Sequence, residues 1–252
     1  MEPILEVKNL TKIFQSERGK DILALDDISF QLYPGEILGI VGESGSGKST
    51  LAKAVLRLIA VTSGSIAICG QEISHLKEKQ IKDIYRQIQM VFQNPASSFD
   101  PRRTLGDGIG ESLRNRGEKK GKVIHEVKAL LKQCGLSEEF AERYPHEVSG
   151  GQCQRAAIAR ALAIRPKILI CDEATSSLDV TVQQQIMDLL KGLRQERNLS
   201  YLFICHNLGL VQSFCDRILV MYEGKIVEEG IPDEIIKNPR SEYAKRLIES
   251  VF

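Results

Sequence analysis

The run Gly42-Glu43-Ser44-Gly45-Ser46-Gly47-Lys48-Ser49-Thr50 constrains this chain more than any other stretch. It fits G-x-x-x-x-G-K-[ST], a loop that wraps phosphate oxygens with backbone N–H groups. Its flanks fit as well. Glu36-Ile37-Leu38-Gly39-Ile40-Val41 is a short apolar run of the kind a buried strand shows, and Leu51 to Ile59 carries apolar residues at helical spacing. Strand, glycine loop and helix aim a helix N-terminus at a polyphosphate. Lys48 would reach the β- and γ-phosphates and the Ser49 hydroxyl would hold Mg²⁺. A glycine- and serine-rich linker could match by chance, but both flanks weigh against it.

A second element belongs with the first. Ile168-Leu169-Ile170-Cys171-Asp172-Glu173 is an apolar strand ending in two acids, and ligands meet α/β sheets at the C-terminal ends of strands. Asp172 would serve Mg²⁺ and Glu173 would orient and activate water. Acids also end strands simply to reach solvent; the glycine loop favours the functional reading. Cys205-His206 ends another strand, where His206 could contact a γ-phosphate. In Val148-Ser149-Gly150-Gly151-Gln152-Cys153-Gln154-Arg155, Ser149 reads as the N-cap of a long helix whose glycines expose its first N–H groups. That is a second anion-binding terminus. One solution is that it serves a nucleotide on another subunit; an ordinary capped helix is the plainer one.

The rest of the chain supplies the frame. Residues 4–14 read as an edge strand and Gln15 to Asp21 as a loop. Ala24 to Leu32 is a further strand, Ser63-Gly64-Ser65 a turn, and Ser65 to Cys69 a short strand. Lys77 to Gln89 is charged and amphipathic, followed by a strand at Ile88 to Phe92 and a loop at residues 93–103. From Thr104 to Tyr144 the pattern is helical, with Leu113, Val123, Val127, Leu130, Leu131 and Leu136 as apolar stripes. Glu118-Lys119-Lys120-Gly121-Lys122 reads as a solvated loop. Thereafter helices and strands alternate: helix Gln152 to Ile164, strand Ile168 to Cys171, helix Val180 to Glu196, strand Tyr201 to Cys205, helix Asn207 to Cys215 and strand Arg217 to Tyr222. Residues 231–252 form a helical tail. Such alternation implies a parallel sheet with helices on both faces.

Composition excludes several classes. Lys and Arg number 34 against 33 Asp and Glu, a net charge of +1, which argues against nucleic acid as the partner. No secretory leader pattern is visible, and no apolar run approaches the roughly 18 residues that span a bilayer. The cysteines at 69, 134, 153, 171, 205 and 215 show no C-x-x-C pairing and read as reduced, mostly buried thiols.

Taken together, Gly42–Thr50, Gln93, Val148–Gln152, Ile168–Glu173, Ser176-Ser177-Leu178-Asp179 and His206 resemble the full motif set of an ABC-transporter ATP-binding subunit, in that family's order and over essentially the whole chain. The resemblance implies an α/β fold: a P-loop NTPase (RecA-like) core with an antiparallel β subdomain, and an inserted α-helical subdomain. Residues 1–93 and 146–230 would form the core with its β subdomain, 94–145 the helical subdomain, and 231–252 the tail. It implies ATP and Mg²⁺, bound in a head-to-tail dimer in which Lys48, Ser49 and Asp172 of one subunit face Ser149, Gly150, Gly151 and Gln152 of the other. Gln93 would touch Mg²⁺ and link to the helical insertion, Asp179 would communicate across the dimer, His206 would sense the γ-phosphate, and Phe14 would stack on adenine. The signature begins with Val148 where the family usually has Leu, and Ser177 stands where a small residue is usual; both changes are mild.

Asn94-Pro95 to Arg103 and Asn238-Pro239-Arg240-Ser241-Glu242-Tyr243-Ala244-Lys245-Arg246-Leu247 are similar to the peptide/nickel importer subgroup. That implies a second ATPase subunit, two permeases and an extracytoplasmic substrate-binding protein, with this chain peripheral at the cytoplasmic face of the membrane. The lack of a cysteine after Cys215 favours the short, nickel-type ATPase over the peptide type. The rivals are an exporter ATPase, a soluble ABC ATPase of repair or translation, whose coiled-coil heptads or second cassette are missing here, and a non-catalytic scaffold, which the filled catalytic positions oppose.

Overall fold

A computed structural model describes residues 1–15, 19, 21–174 and 178–249. Ser176 and Ser177, expected before Asp179, lie outside the described residues, as does much of the Gln15–Asp21 loop.

The chain opens with two long strands, β1 (Leu5–Phe14) and β2 (Ile22–Leu32), then β3 (Ile37–Val41) and helix α1 (Lys48–Val55). Next come β4 (Ser63–Ile68), β5 (Gln71–Glu72), α2 (Glu78–Ile84) and β6 (Ile88–Val91). Helices α3 (Leu105–Asn115), α4 (Lys120–Gln133) and α5 (Gly150–Leu162) follow. The alternating part is β7 (Ile168–Asp172), α6 (Val180–Arg197), β8 (Ser200–Ile204), α7 (Leu208–Phe214), β9 (Arg217–Tyr222) and β10 (Lys225–Gly230). The tail holds α8 (Pro232–Lys237) and α9 (Glu242–Glu249).

Two sheets result. The six-stranded one has the order β10-β9-β3-β8-β7-β6. All its pairings are parallel except β10 with β9. Strands β3, β7 and β8 are buried at every residue, as expected of parallel strands covered on both faces. Their side chains alternate between two cores. Ile37, Val41, Leu169, Cys171, Tyr201, Phe203, Ile218 and Val220 pack with α3 to α7. Leu38, Ile40, Ile168, Ile170, Leu202, Ile204, Leu219 and Met221 pack with α1 and the smaller sheet.

The smaller sheet is antiparallel, in the order β2-β1-β4-β5. β1 therefore lies inside it rather than at an edge: Leu5 pairs with Leu32 on one side and Ile68 on the other. β1 also supplies the partners that draw Ser63 and Ser65 into β4, where a turn was expected.

Other boundaries shift for local reasons. α1 begins at Lys48, inside the glycine loop, and stops early because Arg57 turns left-handed, with φ 55. The helical stretch from Thr104 to Tyr144 is interrupted at Gly117 and Gly135, both with positive φ. Glu118–Lys122 is solvated but only in part a loop: α4 starts at Lys120, and Lys122 bridges back to Glu118 at 2.8 Å. The stripe residues Leu113, Val123, Val127, Leu130, Leu131 and Leu136 are all buried. Cys134, Cys153, Cys171, Cys205 and Cys215 are buried free thiols, while Cys69 is exposed.

The hairpin from β9 to β10 had no counterpart in the sequence reading. It turns at Glu223 and Gly224, with φ 45 and 78. Two consecutive positive φ values suit the right-handed twist of the flanking strands.

Phe203 is fully buried and meets Phe214 edge to face at 4.9 Å. Phe203→Ala should cost about 3–5 kcal/mol by cavity formation and lower the urea midpoint; an unchanged midpoint would contradict this account of the core.

Candidate functional site

The parallel order places four strand ends side by side. β3 runs into the glycine loop, β8 into Cys205-His206, β7 into Asp172-Glu173 and β6 into Phe92-Gln93. In sequence these ends are scattered; in the sheet His206 falls between the loop and the two acids.

The loop is shaped by close approach. A Cβ at Gly42 would come 2.2 Å from the Met221 carbonyl oxygen, so only glycine fits there. Gly47 caps α1 in the left-handed region, with φ 105, no side-chain cap and no acid in the first turn. The first N–H groups of α1 are thus left for an anion. The loop borders an open cleft of about 390 Å³, within the size range of ligand sites. Ser44, Gly45, Gly47, Lys48, Ser49 and Thr50 line it, together with Ile22, Leu23, Ala24, Glu173, Glu223 and Gly224.

Lys48 is 5% exposed and curls back on its own loop. Its ammonium donates to the carbonyls of Gly42 (2.7 Å) and Glu43 (2.6 Å) and to the Ser46 hydroxyl (3.2 Å). Burial pulls its pKa down, against the upward pull of Glu173 and Asp172. A buried cation held by neutral oxygens is poised to exchange them for phosphate.

Asp172 is buried, and its Oδ1 accepts from the Ser49 hydroxyl at 3.1 Å. Burial pushes its carboxyl pKa up, and the Ser49 bond opposes this. Glu173 adopts φ 47, a left-handed conformation unusual outside glycine. Its N–H donates to the Ile204 carbonyl at 3.0 Å. One carboxylate oxygen accepts from Gln93 Nε2 at 2.7 Å, and the other lies 3.7 Å from His206 Nδ1. Glu173 is thus held between Gln93 and His206 while lining the cleft.

The donor set suits Mg²⁺. The Ser49 hydroxyl, the Asp172 carboxylate and the Gln93 amide oxygen are hard oxygens, and the first two already meet across the site.

Other expected residues lie elsewhere. Phe14 pairs with Ile22 at the end of its sheet and does not line the cleft; the Lys12 ammonium sits 4.7 Å from its ring centroid. Ser149 caps α5 in a reciprocal box: Gln152 N–H donates to Ser149 Oγ at 3.3 Å, and Ser149 N–H to Gln152 Oε1 at 2.9 Å. A Cβ on Gly151 would strike Val182 at 2.5 Å, so that glycine lets α5 approach α6. Asp179 caps α6 through Val182 N–H at 3.0 Å. None of Ser149, Gly150, Gly151, Gln152 or Asp179 lines the cleft of its own chain.

Sequence reasoning missed three groups at this site. Gly224 N–H donates to the Ser46 carbonyl at 3.0 Å, so the β9–β10 turn holds the loop. Ile22 to Ala24 wall the cleft. Tyr243 of α9 accepts the Glu43 N–H at 2.8 Å. Only the Glu-Gly pair after a strand carried a local signal, that of a hairpin turn.

Comparison with known proteins agrees with this geometry. The ABC transporter family model matches residues 25–176. The glutathione import ATP-binding protein GsiA of Escherichia coli (strain K12) is 45% identical over 257 residues, which cover 99% of this chain and 41% of that protein. The oligopeptide transport ATP-binding protein OppF of Bacillus subtilis (strain 168) is 44% identical over 253 residues, covering 99% and 83%. Among solved structures, the dimeric, post-hydrolysis ATP-binding cassette MJ0796 bound to ADP and Pi superposes with a TM-score of 0.83 at 31% identity, over 90% of this chain and 98% of that one. CbiO1 of Clostridium perfringens, part of the ABC transporter complex cbiONQ, gives 0.84 at 29% identity, over 100% and 95%. The chain belongs to the ABC transporter family and has the P-loop NTPase fold of an ATP-binding cassette; it spans 41% of the length of the GsiA relative.

Asp172→Asn tests the electrostatics without nucleotide. The raised pKa means that the folded protein holds the Asp172 proton more tightly than the unfolded chain does. The charged carboxylate therefore costs stability above that raised pKa, and the cost vanishes below the ordinary carboxylate range. The variant should gain stability over the parent at neutral pH, and the gain should fade as acid protonates Asp172. Urea unfolding across pH measures the difference; a gain that grows in acid would contradict the assignment.

Proposed function

We propose that this chain is the ATP-hydrolysing subunit of an importer and that it works in a head-to-tail dimer with a second ATPase chain. The observation that carries the reading is Glu173, lining the cleft beside Lys48 and Ser49 while held by Gln93 and His206. In this reading the loop N–H groups and Lys48 bind the β- and γ-phosphates of ATP. Ser49, Asp172 and Gln93 would hold Mg²⁺, which when bound would neutralise phosphate charge. Glu173 orients a water and takes its proton as the water attacks the γ-phosphorus; the bond to the bridging oxygen breaks, and ADP and phosphate leave. His206 contacts the γ-phosphate, and the base lies towards Ile22, Leu23 and Phe14.

The second half of the site is supplied in trans. Ser149, Gly150, Gly151 and Gln152 do not line their own cleft, and Gly150 and Ser149 are exposed. The dimeric state of the MJ0796 cassette supports this arrangement. Asp179, at the start of the helix that Gly151 touches, would relay contact across the dimer.

Coupling would run through Gln93. Phe92, just before it, and Leu58, after α1, are exposed apolar residues on a cleft also lined by Ala157 and Ala161 of α5. A cytoplasmic helix of a permease fits such a groove. ATP-driven closure would move the helical block, residues 94–145, against the core, residues 1–93 and 146–230, with 231–252 as tail, and so bias the permease between its states.

Importer partners would be two permeases and an extracytoplasmic substrate-binding protein, with this chain peripheral to the membrane. Among the described residues no helix is long and apolar enough to cross a membrane. Glutathione and oligopeptide relatives at 45% and 44% identity favour a small peptide over nickel as cargo. Uptake of labelled glutathione, oligopeptide and nickel in cells with and without this chain decides the cargo; loss of nickel uptake alone would reverse the preference.

Glu173→Gln should hydrolyse ATP at least about tenfold more slowly and accumulate an ATP-bound dimer, read by phosphate release and size-exclusion chromatography. Normal turnover would overturn the assignment. Lys48→Ala should lose ATP affinity while its circular dichroism stays that of the parent.

A further inference from the structure

The glycine loop is held from an unexpected direction. Its first peptide unit, between Gly42 and Glu43, is engaged at both ends. The Gly42 carbonyl accepts from Lys48 at 2.7 Å. The Glu43 N–H donates to the Tyr243 hydroxyl at 2.8 Å, across 200 residues of sequence. In a trans peptide these two groups point in opposite directions, so the plane cannot rotate without breaking one of the bonds. ATP binding would draw Lys48 away; Tyr243 would then be the remaining side-chain restraint on this peptide.

Tyr243 is itself firmly mounted. It is 5% exposed and stacks on Tyr222 with ring centroids 4.2 Å apart. Tyr222 directly precedes the Glu223-Gly224 turn that bonds to Ser46. The Arg246 guanidinium lies 5.8 Å from the Tyr222 ring centroid and 5.9 Å from that of Tyr243. The start of α9 is tied down as well, since Glu228 of β10 accepts the N–H groups of Arg240 and Ser241, each at 2.9 Å. Polar contacts therefore run from the second hairpin strand through α9 to the phosphate loop.

We infer that Tyr243 is a positioning residue of the phosphate loop, its hydroxyl fixing the Gly42–Glu43 peptide opposite Lys48 and making the C-terminal helix part of the nucleotide site. The inference rests on the nucleotide-binding reading above. It gives the tail a role in ATP affinity rather than in the chemical step. Glu43 is exposed, so its N–H can turn to water if the hydroxyl is lost. A purely structural Tyr243 would then change the stability of the free protein and leave nucleotide affinity alone.

The experiment measures binding of a fluorescent ATP analogue to the full chain and its variants. Tyr243→Phe keeps the ring stack and removes only the acceptor. Its affinity should fall about fivefold, the scale of one hydrogen bond, with the Glu43 amide exchanging faster and those of Ile40 and Val41 unchanged. Arg246→Ala loosens the stack without touching the loop bond and should stay within about twofold of the parent. Affinity within about twofold of the parent in Tyr243→Phe overturns the inference, as does an equal loss in Arg246→Ala. Lys48→Ala is the reference: undiminished binding there overturns the nucleotide reading and this inference together, whereas loss in Lys48→Ala with none in Tyr243→Phe overturns this inference alone.

Discussion

The parallel ladder pairs Val91 with Cys171, Asp172 with Ile204, and Ile40 again with Ile204. Strands β6, β7, β8 and β3 consequently finish at one level. Each strand is short and almost wholly apolar, so the sheet is buried on both faces and the polar residues that end the strands have only one edge on which to gather. The site is the set of those endings. Displacing any strand by one residue would turn its side chains to the opposite core, and the ending would leave the site with them.

At that edge the protein keeps several groups in unfavourable states. Lys48 is an ammonium taken out of water whose hydrogen-bond acceptors are all neutral oxygens, and burial lowers its pKa against the upward pull of Glu173 and Asp172. Asp172 carries the same cost with the opposite sign. Glu173 sits in a left-handed backbone conformation, stitched to β8 by its N–H. These unfavourable terms are small beside the two apolar cores, which is why the fold tolerates them. They also fit the proposal that the cleft receives a polyphosphate with its cation.

The same chain carries a second glycine-bearing helix terminus, capped by Ser149, that does not line its own cleft. Ser149 and Gln152 satisfy each other in a capping box, and Gly151 serves the close contact with Val182 of α6. The α5 terminus is therefore complete as local structure yet does not line the cleft beside the loop. Its placement beside Asp179 links two motifs that are far apart in the sequence and that would both face a partner.

The glycine loop, the apolar strand before Asp172 and Glu173, and the Ser149 cap were legible from sequence because each is a local rule: turn chemistry, residue periodicity, or capping within one helical turn. The sequence alone thus determined the α/β class and the family resemblance, and it named the glycine loop, Asp172, Glu173, His206 and Gln93, which the strand ends bring side by side. It misjudged β1 as an edge strand and had no assignment for the strand after Tyr222. It also left out Ile22, Leu23 and Ala24, which wall the cleft. Only the tertiary structure decided the order β3-β8-β7-β6, the clasp of Glu173 between Gln93 and His206, and the bond from Glu43 to Tyr243. The physical reason is that local rules act over a few residues, whereas strand order and the Tyr243 contact depend on which apolar faces bury against each other over the whole chain.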